Sequence, residues 1–374
     1  MMGTPDTASR DTASRDTASR DTGRVYWRPI CQTDPAPSPE ALPLAGGWCW
    51  FDRVERIRRA PADHPDPYED LPDILPIEQV PTEVIDRLTA ARAPLGGLDL
   101  RLPRIMGILN LTPDSFSDGG QFDRPEAALA QARHLAAHCD MLDLGGESTR
   151  PGAAEVSLSE EIARTAPVIR ALRADGLTTP LSIDTRKAAV AAAALDAGAD
   201  LVNDVSGFDF DSGMADLVAA RAAPVCIMHA QGLPETMQRD PRYGDVLLDV
   251  YDALEARLER AEAAGIDRRQ ILLDPGIGFG KTQAHNLALL RRIGLFHGLG
   301  CGLLLGVSRK GFIGRLGAGD AGELPAAARD PGSVALAQAA WGQGVQVMRV
   351  HDAASHAQAL RLWCAVCDPR GALD

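Results

Sequence analysis

The chain has 374 residues, 45% of them hydrophobic, which is enough for one core of roughly 250 residues with about a hundred left over. A formal net charge of -13 argues against a surface built for nucleic acid or anionic membrane, because both need clustered cations to displace counterions; a local anion site stays compatible with it. No run approaches the ~18 apolar residues that span a bilayer, and the first residues lack an apolar signal segment, so the expectation is a cytoplasmic protein with neither membrane nor nucleic-acid partners.

The chain opens with Asp-Thr-Ala-Ser-Arg repeated at 6–10, 11–15 and 16–20. The unit holds nothing larger than alanine to bury, so residues 1–24 are expected to form a disordered, low-complexity tail. Residues 25–103 differ. Trp27, Trp48, Trp50 and Phe51 supply apolar mass, and the Pro-rich stretch 35–39 interrupts it. This segment reads as a small N-terminal extension whose role is not legible, with a short helix over Thr82–Arg92, where Thr82 is the expected cap and Val84, Ile85 and Leu88 share a face. Seven scattered cysteines fit reduced thiols better than a disulfide framework. The Cys364-x-x-Cys367 pair sits in helical apolar spacing, so it reads as core packing before redox or metal chemistry.

From residue 104 the texture changes. Apolar runs at Ile105–Asn110, Met141–Leu144, Leu181–Asp184, Leu201–Val205, Val225–Met228, Ile271–Asp274, Leu303–Val307 and Val345–Val350 alternate with helix-like spans such as Pro125–Cys139, Ser159–Ala174, Lys187–Ala197, Tyr243–Ala264 and Pro331–Gly342. Eight strand–helix units over about 250 residues predict an α/β fold, a (β/α)8 TIM barrel over 104–374, with an open doubly wound sheet as the weaker alternative.

Reactive side chains fall at or just past the ends of these runs: Asn110, Asp143, Asp184, Asn203, His229, Asp274, Ser308 with Lys310, and Arg349 with His351. Any one of them is equally well a helix cap or a turn residue. In a closed barrel, however, all these ends converge on one face, so together they predict a single pocket. Carboxylates and amides come from the early strands and cations from the last two, which suits a substrate with a polar heteroaromatic end and an anionic end. Carboxylates such as Asp184 and Asp274, beside Asn203, match the N–H edge of an aminopyrimidine. Arg150, Arg309, Lys310, Arg349 and His351 can meet phosphate oxygens, and Asn110 offers a hard oxygen to Mg²⁺.

The wording of the loops then becomes recognisable. Met-Gly-Ile-Leu-Asn-Leu-Thr-Pro-Asp-Ser-Phe-Ser-Asp-Gly-Gly at 106–120 and Asp-Leu-Gly-Gly-Glu-Ser-Thr-Arg-Pro-Gly at 143–152 resemble the two mobile loops of the dihydropteroate synthase family. So do Ser-Ile-Asp-Thr at 182–185, Asn-Asp-Val-Ser-Gly at 203–207, Asp-Pro-Gly-Ile-Gly-Phe-Gly-Lys at 274–281, Ser-Arg-Lys at 308–310 and Arg-Val-His-Asp at 349–352. The motifs cover about two-thirds of the chain in βα-loop order.

The resemblance implies a transferase of folate biosynthesis. It would condense 6-hydroxymethyl-7,8-dihydropterin diphosphate with 4-aminobenzoate, giving 7,8-dihydropteroate and diphosphate by a dissociative route, with Mg²⁺ as cofactor. It further implies that Asn110 binds the metal and, with Arg349 and His351, the diphosphate. Asp184, Asn203, Met228, Asp274, Phe279 and Lys310 would hold the pterin. Phe116, Thr149, Arg150, Pro151 and Ser308 would bind aminobenzoate, and Asp118, Lys310, Arg349 and His351 would form the catalytic set. A homodimer and inhibition by sulfonamides belong to the same expectation. Two departures, Ala230 in the His229–Gly232 stretch and Ile277 in the glycine-rich loop, stay apolar and are expected to repack. The alternatives are a pterin-dependent methyltransferase and a non-catalytic pterin-binding homologue.

Overall fold

The period-two alternation along the barrel strands sorts their side chains onto two surfaces. One set, including Ile105, Leu109, Leu142, Leu144, Ile183, Val202, Ile227 and Leu273, is buried with residues of the outer helices. The intervening set, Met106, Met141, Leu201, Cys226, Leu272, Leu304 and Val347, forms a separate apolar cluster inside the barrel. Two positions further along, Asp143, Asn203, Asp274 and Arg349 turn the inward set polar on four of the strands. The structure is a computed structural model and describes residues 23–35, 37–59, 72–112, 124–148, 155–232 and 236–367. Most of the repeat tail expected over 1–24 lies outside these residues.

The described chain begins with strands β1 (Val25–Pro29), β2 (Leu42–Pro43), β3 (Trp50–Phe51), β4 (Arg53–Arg58) and β5 (Asp73–Pro76), then helix α1 (Thr82–Thr89). The barrel follows as β6 (Arg104–Asn110), α2 (Arg124–Ala136), β7 (Met141–Gly145), α3 (Leu158–Ala174), β8 (Leu181–Asp184), α4 (Ala188–Ala197), β9 (Leu201–Asp204), α5 (Met214–Arg221), β10 (Val225–Met228) and α6 (Val246–Ala263). It is completed by β11 (Ile271–Asp274), α7 (Gln283–Arg291), β12 (Gly302–Leu305), α8 (Gly311–Gly317), α9 (Asp330–Trp341), β13 (Val347–Val350) and α10 (Ala353–Cys367). Strands β6 to β13 run parallel and close, β13 pairing with β6 so that Val347 faces Arg104 and Val350 faces Gly107. The expected (β/α)8 barrel is therefore present. The seven cysteines, all within the described residues, form no disulfide, and Cys364 and Cys367 lie on α10.

The extension is fastened to the barrel floor. Leu95, Leu98 and Leu100 complete the inner apolar cluster, so the short bridge between Leu95 and Leu98 plugs the end of the barrel opposite the polar layer. Strands β1, β4 and β5 make a small antiparallel sheet, and Leu44, Cys49, Phe51, Val54 and Leu88 form a satellite core beneath it. Trp48 Nε1 donates to Trp341 O at 2.9 Å, and Arg59 reaches Asp249 and Asp252 of α6 at 2.5 and 2.6 Å.

The helix expected over Thr82–Arg92 is real but is capped differently. Pro81 is its N-cap and Thr82 is already helical, since proline supplies the φ that starts a helix and has no N–H to leave unpaired. The helix stops at Thr89, and the Arg92 side chain folds back to donate to the carbonyls of Arg87 and Ala90 at 3.2 and 2.8 Å, satisfying acceptors that the helix end exposes.

Candidate active site

Asp143, Ser182, Asp184 and Asn203 all project into the barrel from β7, β8 and β9. Register sets Asp143 beside Ser182 and Asp184 beside Asn203. Arg349 reaches them from β13. Its Nε donates to Asp143 Oδ2 at 2.5 Å and its Nη2 to Asp184 Oδ2 at 2.6 Å. Ser182 Oγ and Asn203 Nδ2 also donate to Asp143, at 2.6 and 3.1 Å. Asp143 is wholly buried, and these three donors are what make its charge tolerable there. Burial works against the Arg349 guanidinium, but Asp143 and Asp184 outweigh it and hold it above its ordinary value.

Asp184 is left half satisfied. Its Oδ2 accepts from Arg349, whereas its Oδ1 is buried with no hydrogen-bond partner among the described residues. Burial pushes this carboxyl up to about 7, with Arg349 opposing and Asp143 reinforcing the shift. An unpartnered buried acceptor is costly and calls for a donor that arrives from outside. Gly145 lies beside this carboxyl, where a Cβ would stand 3.7 Å from Asp184 Oδ2, and Gly306 lies beside Asp274 Oδ2 at the same distance.

Asp274 ends β11. Its Oδ1 accepts from Gly276 N at 2.7 Å, and burial raises its carboxyl while this amide and Lys310 pull it down. The loop that follows carries Phe279, whose ring lies under Lys310 Nζ at 4.1 Å from its centroid. Gly278 admits the lysine stem, since a Cβ there would meet Lys310 Cδ at 3.1 Å. Met228, at the end of β10, packs beside Gly276. Asp184, Asn203, Met228, Asp274, Phe279, Lys310 and Arg349 therefore face one mouth of the barrel from six strands or their following loops.

On the last two strands, Ser308 and His351 form a unit. Ser308 Oγ accepts from His351 N at 3.1 Å and lies 2.9 Å from His351 Nδ1. The expectation split these residues between two substrates; in the structure each positions the other. Arg309, a possible phosphate ligand by sequence, has its fork taken by Asp330 at 2.7 and 2.8 Å. Phe116, Asp118, Thr149, Arg150 and Pro151 lie outside the described residues.

Asn110 is a neutral oxygen donor at the end of β6, and among the described residues no three His, Cys, Asp or Glu side chains converge into a metal-binding group. Such a donor set fits a magnesium ion held chiefly by phosphate oxygens and water, with Asn110 as a protein ligand.

The sequence of residues 106–351 matches the family described as pterin binding enzyme. The chain is 47% identical over 275 residues to a dihydropteroate synthase of Neisseria meningitidis serogroup C, covering 72% of this chain and 94% of that one. The chain belongs to the dihydropteroate synthase family. A second synthase, from Escherichia coli K12, is 43% identical over 266 residues, covering 71% of this chain and 92% of its own length. Among solved synthases, that of Xanthomonas albilineans with 4-aminobenzoic acid superposes with a TM-score of 0.68 at 44% identity, covering 72% of this chain and 95% of the other. The same organism's synthase in complex with 7,8-dihydropteroate gives 0.66 at 42% identity, covering 72% and 96%.

Two residues of the motifs carried no expected role and prove central to the architecture. Ser182 is a donor to Asp143, and Lys281 is buried beneath the glycine-rich loop. For Lys281 a signal existed, a lysine closing three alternate glycines; for Ser182, inward alternation with Asp184 was the signal.

Proposed function

We propose that the barrel mouth joins a pterin diphosphate to 4-aminobenzoate, as in the synthases it resembles. The chain is a transferase of folate biosynthesis that makes 7,8-dihydropteroate. The observation that carries the assignment of this particular pocket is the buried Oδ1 of Asp184, without a partner among the described residues and suited as an acceptor to the N–H edge of an aminopyrimidine. Asp274 and Asn203 extend the same polar edge, while Met228 and the Phe279 ring give the heterocycle apolar faces.

The reaction breaks the C–O bond between the pterin methylene and diphosphate, the electron pair leaving with diphosphate. The positive charge left on the methylene spreads into the pterin ring, beside the Asp184, Asp143 and Asp274 carboxyls. The aniline nitrogen of 4-aminobenzoate then forms the new C–N bond, and the resulting anilinium, a strong acid, loses its proton to water. No covalent protein nucleophile is needed. Electrostatic preorganisation carries the catalysis, with carboxylates below the cationic centre and Lys310 and His351 beside the departing anion. Arg349 acts from within: held by Asp143 and Asp184, it fixes the orientation of the pterin-binding carboxylate. Mg²⁺ bound at Asn110 would neutralise charge on the leaving diphosphate.

Phe116, Thr149, Arg150 and Pro151 would form the aminobenzoate pocket with Ser308, and Asp118 would join the catalytic set. Sulfonamides would compete in that pocket; a sulfonamide complex is described for the Yersinia pestis synthase. A cytoplasmic homodimer is part of the same proposal. The test is release of diphosphate from hydroxymethyl-dihydropterin diphosphate. It should require both Mg²⁺ and 4-aminobenzoate and fall at least about a hundredfold in Lys310→Ala, the loss expected for a preorganised charge. Release without aminobenzoate, or undiminished in that variant, would sink the assignment.

A further inference from the structure

Lys281 is 2% exposed and makes its side-chain hydrogen bonds within the protein. Nζ lies 2.8 Å from His229 Nδ1, 2.9 Å from Gly276 O and 3.0 Å from Phe279 O, with His229 O further off at 3.4 Å. Three partners lie within 3.0 Å of it, two carbonyls that accept from the lysine and the His229 ring nitrogen, and burial holds the lysine well below its ordinary value. The loop is built to present them. Gly276, Gly278 and Gly280 all have positive φ, at 68°, 84° and 62°, which curls the backbone around the nitrogen. A side chain at Gly276 would collide with the His229 carbonyl, and one at Gly280 with that of Gln231.

The outer rim of the same loop is tied down separately. Gly278 N donates to Asn286 Oδ1 at 2.7 Å, Gln238 Nε2 donates to Gly278 O at 2.6 Å, and Tyr243 donates its hydroxyl to Gly280 O at 2.8 Å. The inner rim, the carbonyls of Gly276 and Phe279, is held by Lys281. Its hydrogen bond to Phe279 O fixes the peptide plane that aims the Phe279 ring outward, under Lys310.

We propose that Lys281 is a positioning residue for the pterin site, acting through the Phe279 carbonyl to hold the aromatic wall and Lys310 in register. The proposal rests on the reading that Phe279 and Lys310 contact the pterin. Without Lys281 the Phe279 carbonyl would lose the lysine donor, while Gly276 O would keep Phe279 N at 3.1 Å, and the loop would turn the Phe279 carbonyl toward water, carrying the ring with it.

The experiment uses the full chain with each substrate varied, in the parent, Lys281→Met, Phe279→Ala and the double variant, with thermal melts alongside. Lys281→Met should raise KM for the pterin diphosphate about tenfold and leave KM for 4-aminobenzoate within about twofold. In the Phe279→Ala background the same change should add less than about twofold, because residues acting through one another are not additive. A lysine that merely supports the fold would lower the melting temperature, leave KM unchanged and give multiplicative effects; that result overturns the proposal. If Phe279→Ala itself leaves the pterin KM unchanged, the site reading fails and takes the proposal with it. Should Lys281→Met not fold, His229→Ala keeps the lysine and removes one of its partners. A roughly threefold rise in the same KM then supports the proposal, and an unchanged value in that folded variant overturns it.

Discussion

Asp184 anchors Arg349 through Oδ2 and leaves Oδ1 buried without a partner among the described residues, the oxygen proposed to meet the pterin. Converting it to asparagine keeps the shape and removes the charge-assisted acceptor. Asp184→Asn should therefore weaken pterin binding by about 2 kcal/mol, roughly thirtyfold, measured by titration calorimetry. The same residue makes binding pH-dependent. Its carboxyl is pushed up to about 7 in the empty site, so it is substantially protonated in mildly acidic solution. Pterin N–H donors favour the carboxylate and pull that value down, so binding below about pH 7 should release a proton and affinity should fall as pH drops, by at most about tenfold per unit. Calorimetry at mildly acidic pH in two buffers of different ionisation heat reads the proton directly. Equal heats in both buffers for the parent, or proton release persisting in Asp184→Asn, would rule out this origin.

Two kinds of element shape the site, loops that need glycine and a floor that needs leucine. Gly276→Ala would place a side chain at φ 68° against the His229 carbonyl and should cost at least about 2 kcal/mol in urea unfolding. Leu100→Ala, at the opposite end of the barrel, would open a cavity among Met106, Leu272 and Leu304 and should cost about 3 kcal/mol; a loss under about 1 kcal/mol would mean the plug is dispensable. The two elements differ in how legible they were. Asn110, Asp184 and Asp274 could be placed at strand ends because each closes an apolar run, and barrel closure then brings all such ends together. The plug left no such trace. Leu95-Gly96-Gly97-Leu98 is too short for a period to emerge, and its apolar residues acquire meaning only once the inner face of the barrel exists to receive them. Sequence favours Thr82 as the cap because a hydroxyl is the commoner capping group, whereas here Pro81 starts the helix by geometry alone. The pairing of Arg309 with Asp330, 21 residues later, depends on how the chain after β12 returns, which no local pattern encodes.

At the scale of the whole molecule, the question is whether the extension and the barrel form one cooperative unit. The extension contributes three leucines to the barrel floor, Trp48 to the Trp341 backbone, and Arg59 to two carboxylates of α6. Arg59 is nearly buried, with side-chain exposure of 7%, while Asp249 and Asp252 keep 29% and 35%, so much of the ion-pair energy is screened by solvent. Both carboxylates also retain other donors: Asp249 accepts from Gly244 N at 2.7 Å and Asp252 from the Tyr26 hydroxyl at 2.9 Å. Arg59→Met should therefore cost only about 1 kcal/mol, more at low salt than at high. The five tryptophans lie at positions 27, 48, 50, 341 and 363, in the extension or on α9 and α10, and Trp363 packs against both Trp48 and Trp341, so their fluorescence reports this junction. Far-ultraviolet circular dichroism reports the barrel helices. In the parent the two signals should follow one urea transition, and in Arg59→Met both should shift together to a lower midpoint, because the apolar plug still couples the parts. Fluorescence changing at lower urea than dichroism in the parent would show that the extension unfolds by itself, and the leucine plug would then not be the coupling element.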